Sequence, residues 1–363
     1  MANSRRSIST SNRGCNVGSE PQSEPPFGLL NLDKPIGLTS RDCVNRVVGR
    51  LRSQFPKPAK LPKVGHAGTL DPLASGVLII GVGAGVRLVP YLHGLDKVYR
   101  AKFRFGESSQ SGDLETEVVA AVDPRRPSRE QVEAAALALT GQIDQVPPAH
   151  SAIKVGGRKA YKFAHRGQTV EVPVRTVRIE QIVVERYDYP EIELTIRCGT
   201  GTYIRTLGID LAARCQSTAV MTSLVRTAIG DFRLADAVPL GEFDASGPTA
   251  DAPAAWQRHL RPLATAVPHL TRLTLGDDAI AALCHGIKLA DPVATAAATS
   301  HQSLDHPAPS PALPPAPSRS AAGDSDSAAT TVEAAVIDRS GNLRAIVRRQ
   351  GGRLHPYRVF PSP

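Results

Sequence analysis

The feature that most constrains the fold is the strict two-residue alternation at Tyr99–Phe105. Tyr99, Ala101, Phe103 and Phe105 fall on one face, and Arg100, Lys102 and Arg104 on the other. Period-two patterning of this kind marks a strand with one buried face. The continuous apolar run Val77-Leu78-Ile79-Ile80 reads as a second, more deeply buried strand. Phe27-Gly28-Leu29-Leu30-Asn31-Leu32 reads as another, and further strands are expected near 174–185 and 191–198. Helical spacing appears between them. Val44, Val47, Val48 and Leu51 share a face behind a Ser40 cap. Ser128 and Gln131 form a capping box ahead of Val132–Leu139, with Gly141 as a stop signal. Short helices are expected at Arg87–Leu92 and Tyr203–Arg214. Strands and helices do not alternate regularly, so the expected class is α+β with a largely antiparallel mixed sheet and flanking helices.

Punctuation divides the 363 residues. Residues 1–26, rich in Ser, Asn and Pro, read as a disordered tail, and 27–245 as the main domain. A Gly/Pro linker over 245–262 leads to a small β-rich unit, 262–363, with strands near 271–275, 332–337, 343–348 and 357–360. An Ala/Pro/Ser tract at 291–331 interrupts that unit and reads as a disordered insertion. No apolar run is long enough for a membrane span, and the N-terminus lacks the apolar stretch of a secretory signal, so a cytoplasmic location is expected. Five widely spaced cysteines without a Cys-x-x-Cys pair argue against a disulfide framework or a zinc site. Lys and Arg total 43 against 34 acids, a net charge of +9 that favours a polyanionic partner.

The segment richest in chemistry is Gly65-His66-Ala67-Gly68-Thr69-Leu70-Asp71-Pro72-Leu73-Ala74-Ser75-Gly76. Two glycines bracket His66 and permit a tight turn or a close approach to a ligand. Pro72 biases Asp71 toward an extended or turn conformation. One carboxylate therefore sits on a loop anchored in the buried strand at 77–80. On residue chemistry alone, a solvated Asp-Pro turn is the commoner meaning of such a pattern. An aspartic protease would need Asp-Thr/Ser-Gly, and a phosphate loop Gly-Lys-Ser/Thr. Gly81-Val82-Gly83-Ala84-Gly85 lacks the third glycine of a dinucleotide loop and reads as a close-packed strand-to-helix turn.

That twelve-residue segment resembles the catalytic motif of the TruB family of tRNA pseudouridine-55 synthases. Other segments resemble the family in the same order along the chain. They are Leu32-Asp33-Lys34-Pro35-Ile36-Gly37-Leu38-Thr39-Ser40, Asp96-Lys97-Val98-Tyr99-Arg100, Pro147-Pro148-Ala149-His150-Ser151-Ala152-Ile153-Lys154, Gly199-Thr200-Gly201-Thr202-Tyr203-Ile204-Arg205-Thr206 and Leu224-Val225-Arg226. The resemblance covers about 27–290 and resumes at 332–360, where it implies a small PUA-like RNA-binding domain. After Gly106 the family's Thr-Asp-Thr-x-Asp-x-x-Gly run is altered. Gln110 stands for the first aspartate, Asp113 matches the second, and the final glycine is missing. Gly83-Ala84-Gly85-Val86-Arg87 has lost the usual Thr-Lys ending.

The resemblance implies a pseudouridine synthase fold and isomerisation of a T-loop uridine of tRNA, with Asp71 as the catalytic residue and no cofactor or metal. It implies that Arg205 orients Asp71, that Tyr99 stacks on the extruded base and that Leu224 packs against it. His66 is placed at the pocket mouth, against the T-loop. Lys34 and Pro35 are expected behind the site. An RNA-gripping insertion at about 147–178 presents Lys154, Arg158, Lys159, Lys162 and Arg166, with Tyr161 and Phe163 interleaved. The expected partner is the T-arm of tRNA, and the protein is expected to act as a monomer. Two alternatives stay open: a guide-RNA-dependent rRNA pseudouridine synthase subunit, and a non-catalytic RNA-binding or tRNA-folding module. A small-molecule enzyme with a nucleotide cofactor has only the 81–85 glycines behind it.

Overall fold

The structure is a computed structural model that describes residues 25–55, 60–148, 154–155, 158–159, 173–244, 255–292 and 332–362. The first half runs β1 (Gly28–Lys34), α1 (Ser40–Gln54), β2 (Val64–Ala67), β3 (Ala74–Val82), a 3-10 turn over Gly83–Leu88, α2 (Val89–Gly94), β4 (Lys97–Phe105), β5 (Glu107–Ser109), β6 (Val118–Ala120), α3 (Arg129–Ala138) and β7 (Gly141–Gln145). There follow β8 (Lys154–Val155), β9 (Arg158–Lys159), β10 (Arg175–Asp188), β11 (Glu191–Cys198), α4 (Ile204–Arg214), β12 (Ala219–Ile229), β13 (Phe232–Arg233) and β14 (Val238–Pro239). The C-terminal part adds β15 (Thr271–Thr274), α5 (Asp277–Cys284), β16 (Leu289–Ala290), β17 (Val332–Ile337), β18 (Leu343–Gln350) and β19 (Arg353–Val359).

A ten-stranded sheet is ordered β14-β1-β3-β12-β4-β11-β10-β7, with β2 beside β3 and β13 beside β12. It is mixed: β12 runs parallel to β3 and β14 to β1, and the other pairs are antiparallel. A second sheet of five strands, β15-β17-β18-β19-β16, closes the chain. The α+β class expected from the sequence is the class observed. Among the described residues no helix is long and apolar enough to cross a membrane.

The two-residue period of each strand decides which core its side chains enter. Tyr99, Ala101, Phe103 and Phe105 of β4 pack under α3 and α4, on Val132, Ala136, Leu207 and Leu211. Leu30, Leu32, Leu78 and Ile80 of β1 and β3 meet α1 and Trp256. Their neighbours Leu29, Val77 and Ile79 face the other way, in one core with Ala335, Ile337 and Ile346 of the C-terminal sheet and Phe360 just after it. The 77–80 run is continuously apolar because both of its faces are buried.

Several local expectations need correction. Thr39, not Ser40, caps α1: its side chain accepts from the Asp42 amide and Asp42 returns the bond. Ser40 is buried and used elsewhere. His66 lies within strand β2 rather than in a turn, and Gly68 is the residue there with positive φ, +91°. Arg87 lies within the 3-10 turn, which ends at Leu88, and the helix begins at Val89. Gly141 opens β7 instead of closing α3, which ends at Ala138 with Leu139 as its cap. The Ser128–Gln131 capping box is present with both bonds. Gly81 and Gly85 form the close-packed turn expected of them, since a Cβ on Gly85 would lie 2.1 Å from the Gly28 carbonyl oxygen. The tail before residue 25 and the tract 293–331 lie outside the described residues.

Candidate active site

The strands converge on a cleft of about 580 Å³. Its lining includes His66, Gly68–Asp71, His93, Lys97, Tyr99, Gly199–Arg205, Met221, Leu224 and Arg226. The volume falls within the range that accommodates a small organic group such as one nucleoside. Four sequence-predicted residues, Asp71, Tyr99, Arg205 and Leu224, are thus brought together, with His66 on the same lining.

Asp71 stands on the loop between β2 and β3. Its carboxylate accepts from Arg205 Nη2 at 2.6 Å. The Asp71 side chain is 46% exposed, whereas that of Arg205 is 5% exposed. The acid therefore faces the cleft while its partner is held in the interior. Arg205 is on the first turn of α4 and is fixed from behind. Its Nε lies 3.1 Å from an oxygen of Asp113, and its Nη1 donates to the Ser111 carbonyl at 2.7 Å. Asp113 also accepts from Ser111 Oγ at 2.6 Å and from the Glu115 amide at 3.0 Å. One guanidinium is thus shared between a buried and an accessible carboxylate, which sets the direction in which Asp71 points. The altered run after Gly106 therefore keeps an aspartate where Arg205 needs it.

The backbone on both sides of Asp71 is pinned. Ser40 Oγ contacts both the amide and the carbonyl of Leu70, at 2.9 and 3.2 Å. Lys34, fully buried, donates from Nζ to the carbonyls of Ala74 at 2.6 Å and Pro35 at 3.0 Å, with Pro72 at 3.5 Å. The Gly37 amide closes on the Pro72 carbonyl at 2.8 Å. Lys34 and Pro35 thus lie behind the loop, where the sequence places them. Burial holds the Lys34 ammonium below its ordinary range, partly offset by the carboxylates of Asp71 and Asp33.

Tyr99 is 9% exposed and belongs to the core and to the cleft lining at once. Burial raises its hydroxyl above the usual range, with the charge of Arg226 opposing. His66 is pushed below the ordinary imidazole range by burial first and by the Arg226 charge second. His93 is lowered by burial and by Lys97. Lys97 donates to the carbonyls of His93 and Leu95, each at 2.6 Å, and is lowered to about 8 by burial and Arg226. Of the basic insertion, the backbones at Lys154, Arg158 and Lys159 form a short antiparallel pair; Lys162 and Arg166 lie outside the described residues.

Sequence reasoning assigned no part in the site to Lys97, His93 or Arg226, and gave Ser40 only the role of a helix cap. Lys97 and Arg226 stood inside segments already singled out, yet nothing in their spacing indicated that they are buried against the cleft.

A model of the TruB family pseudouridylate synthase N-terminal domain matches residues 56–204. The tRNA pseudouridine synthase B of Rhodopirellula baltica is 38% identical over 347 residues, covering 93% of this chain and 95% of that protein. The chain belongs to the TruB family. The namesake enzyme of Gluconobacter oxydans is 42% identical over 253 residues, 69% of this chain and 73% of the relative. Among solved structures, a Cbf5-Nop10-Gar1 complex gives a TM-score of 0.63 at 22% identity, over 97% of this chain and 92% of that one. At that identity the likeness speaks to the fold, a pseudouridine synthase fold that this TruB-family chain shares. The TruB match includes the loop of Asp71 and the strand of Tyr99, and stops at the threshold of α4, one residue before Arg205.

Proposed function

We propose that this protein isomerises the T-loop uridine at position 55 of tRNA to pseudouridine, with Asp71 as the catalytic carboxylate. The observation that carries the assignment is the 2.6 Å pair between accessible Asp71 and buried Arg205, beside Tyr99 and Leu224 in one cleft. In the reaction the C1′–N1 bond breaks, the base turns, and C5 bonds to C1′. The proton on C5 leaves and N1 gains one, so nothing is oxidised and nothing is hydrolysed overall. A carboxylate serves either as nucleophile at C1′ or as base at C2′. Arg205 balances its charge and aims it.

The target base must first leave its loop, at a cost of a few kcal/mol. Stacking on an aromatic ring such as Tyr99 returns roughly 1–3 kcal/mol per base. Leu224 offers an apolar wall, and His66, held toward its neutral form, borders the entrance as a contact for the T-loop. Lys154, Arg158 and Lys159 supply charge for the RNA backbone, which fixes register without reading sequence. We read 27–245 as the catalytic domain and 262–363 as a PUA-like RNA-binding unit, acting in the cytoplasm without an obligate protein partner.

The test is to incubate purified protein with unmodified tRNA transcript alone and to map pseudouridine. Wild type is expected to modify position 55, and Asp71→Asn to be inactive while binding tRNA with unchanged affinity. Modification that appears only when a guide RNA is added rejects the stand-alone reading. Activity in Asp71→Asn rejects the role given to the carboxylate.

A further inference from the structure

The cleft is bordered by a buried cation that the chemistry above does not use. Arg226 is 2% exposed. It lies on β12, between β3, which the Asp71 loop enters, and β4, which carries Tyr99. On one side its Cα partner is Tyr99 of β4, and on the other it is Gly76 of β3. Its guanidinium donates from Nε to the Val77 carbonyl at 2.7 Å, from Nη2 to the Gly68 carbonyl at 3.2 Å and from Nη1 to the Thr69 carbonyl at 3.4 Å. Among the described residues no carboxylate pairs with it. A full charge in the interior, held by backbone carbonyls with the Tyr99 hydroxyl beside it, is expensive to keep, so its geometry has a use.

The three acceptors identify that use. Val77 belongs to the rigid strand, whereas Gly68 and Thr69 belong to the loop that delivers Asp71. Lys34 and Ser40 hold the loop at Leu70, Pro72 and Ala74. Arg226 holds the two residues ahead of those, where Gly68 adopts φ +91° and Thr69 follows. Only a planar fork with several donors reaches the strand and the loop together. Gly76 permits the approach: a Cβ there would stand 2.3 Å from the Arg226 carbonyl oxygen.

We infer that Arg226 is a positioning residue, a clamp that fixes the Gly68–Thr69 backbone against β3 and thereby sets Asp71 relative to Tyr99. It touches neither carboxylate of the Arg205 pair. The inference rests on the assignment of Asp71 above, and the experiment separates the two.

Arg226→Gln and Arg226→Lys are compared with wild type and Asp71→Asn by tRNA affinity, melting temperature and single-turnover rate at saturating enzyme. A displacement of the reacting group by about 1 Å costs on the order of 100-fold in rate, and that loss is expected for Arg226→Gln with tRNA affinity within about threefold. Arg226→Lys keeps the charge but not the fork, and is expected to stay at least about tenfold slow. Free guanidinium at low millimolar concentration should partly restore Arg226→Ala, and ammonium should not. A folded Arg226→Gln at wild-type rate, or full recovery in Arg226→Lys, overturns the clamp while leaving Asp71 in place if Asp71→Asn is inactive. An active Asp71→Asn removes the underlying reading instead. If the variants do not fold, the wild-type protein decides. The Arg226 Nε proton must exchange as slowly as the amides of β3, free and tRNA-bound; exchange at the rate of a solvated side chain overturns the inference.

Discussion

Replacing Asp113 by asparagine separates what holds Arg205 from what Arg205 does. Asp113 is 2% exposed and Arg205 5%, so their 3.1 Å contact is shielded from water, whereas the contact to Asp71, 46% exposed, borders the cleft. Coulombic attraction is therefore stronger on the buried side. Asparagine keeps the volume and an acceptor for Ser111 Oγ and the Glu115 amide, so the local turn survives. The charge is lost, and with the oxygen kept for Ser111 and Glu115 a donor NH2 replaces the oxygen that faced Arg205 Nε. Removing one partner of a buried pair costs about 3–5 kcal/mol, and the retained acceptor puts this case near about 3 kcal/mol. At about 2–4 °C per kcal/mol, the melting temperature should fall by about 6–12 °C. Arg205 then has Asp71 as its one carboxylate, and the pair is drawn out of register with the cleft. A shift of about 1 Å there corresponds to about a 100-fold slower chemical step. The assay is tritium release from C5 of uridine-labelled tRNA in a single turnover, because forming the C5–C1′ bond expels that hydrogen. A folded Asp113→Asn protein that melts within about 2 °C of wild type and reacts within about threefold of its rate refutes the coupling.

Two further outcomes follow from packing and charge. A Cβ on Gly208 of α4 would lie 2.0–2.5 Å from the buried ring of Phe103, so Gly208→Ala must move helix or strand; overpacking of this kind costs about 1–3 kcal/mol, read as a lower urea midpoint. Lys97 is held at about 8 against 10.5 in the unfolded chain, so below pH 8 it is charged in both states and its burial penalty is fully present. From about pH 8 to about 10.5 the unfolded chain binds more protons and this penalty is relieved. The stability of wild type relative to Lys97→Met should therefore rise between pH 7.5 and 9.5, and a flat difference in urea midpoints would contradict the burial of a charged amine there.

Features set within a few residues were legible in the chain. The alternation at 99–105 determined β4 and its buried face, because period two admits one orientation once an apolar core exists. The Ser128–Gln131 pair determined the start of α3, and the twelve residues around Asp71 pointed to the family and its chemistry. Strand β12 was missed although it is central: Ala219–Ile229 is covered on both sides and lacks clean alternation. Helix α5 was missed because Asp277–Cys284 is short and sits between strand-like segments. The site's wiring belongs to the tertiary structure. Asp71 and Arg205 are 134 positions apart, and Asp113 joins them from a loop of its own. Ser40 and Arg226, ordinary as letters, become holders of the loop only when β1, β3 and β12 lie side by side. Local propensity acts over neighbouring residues, whereas a buried charge finds its acceptors only after the sheet has formed around it.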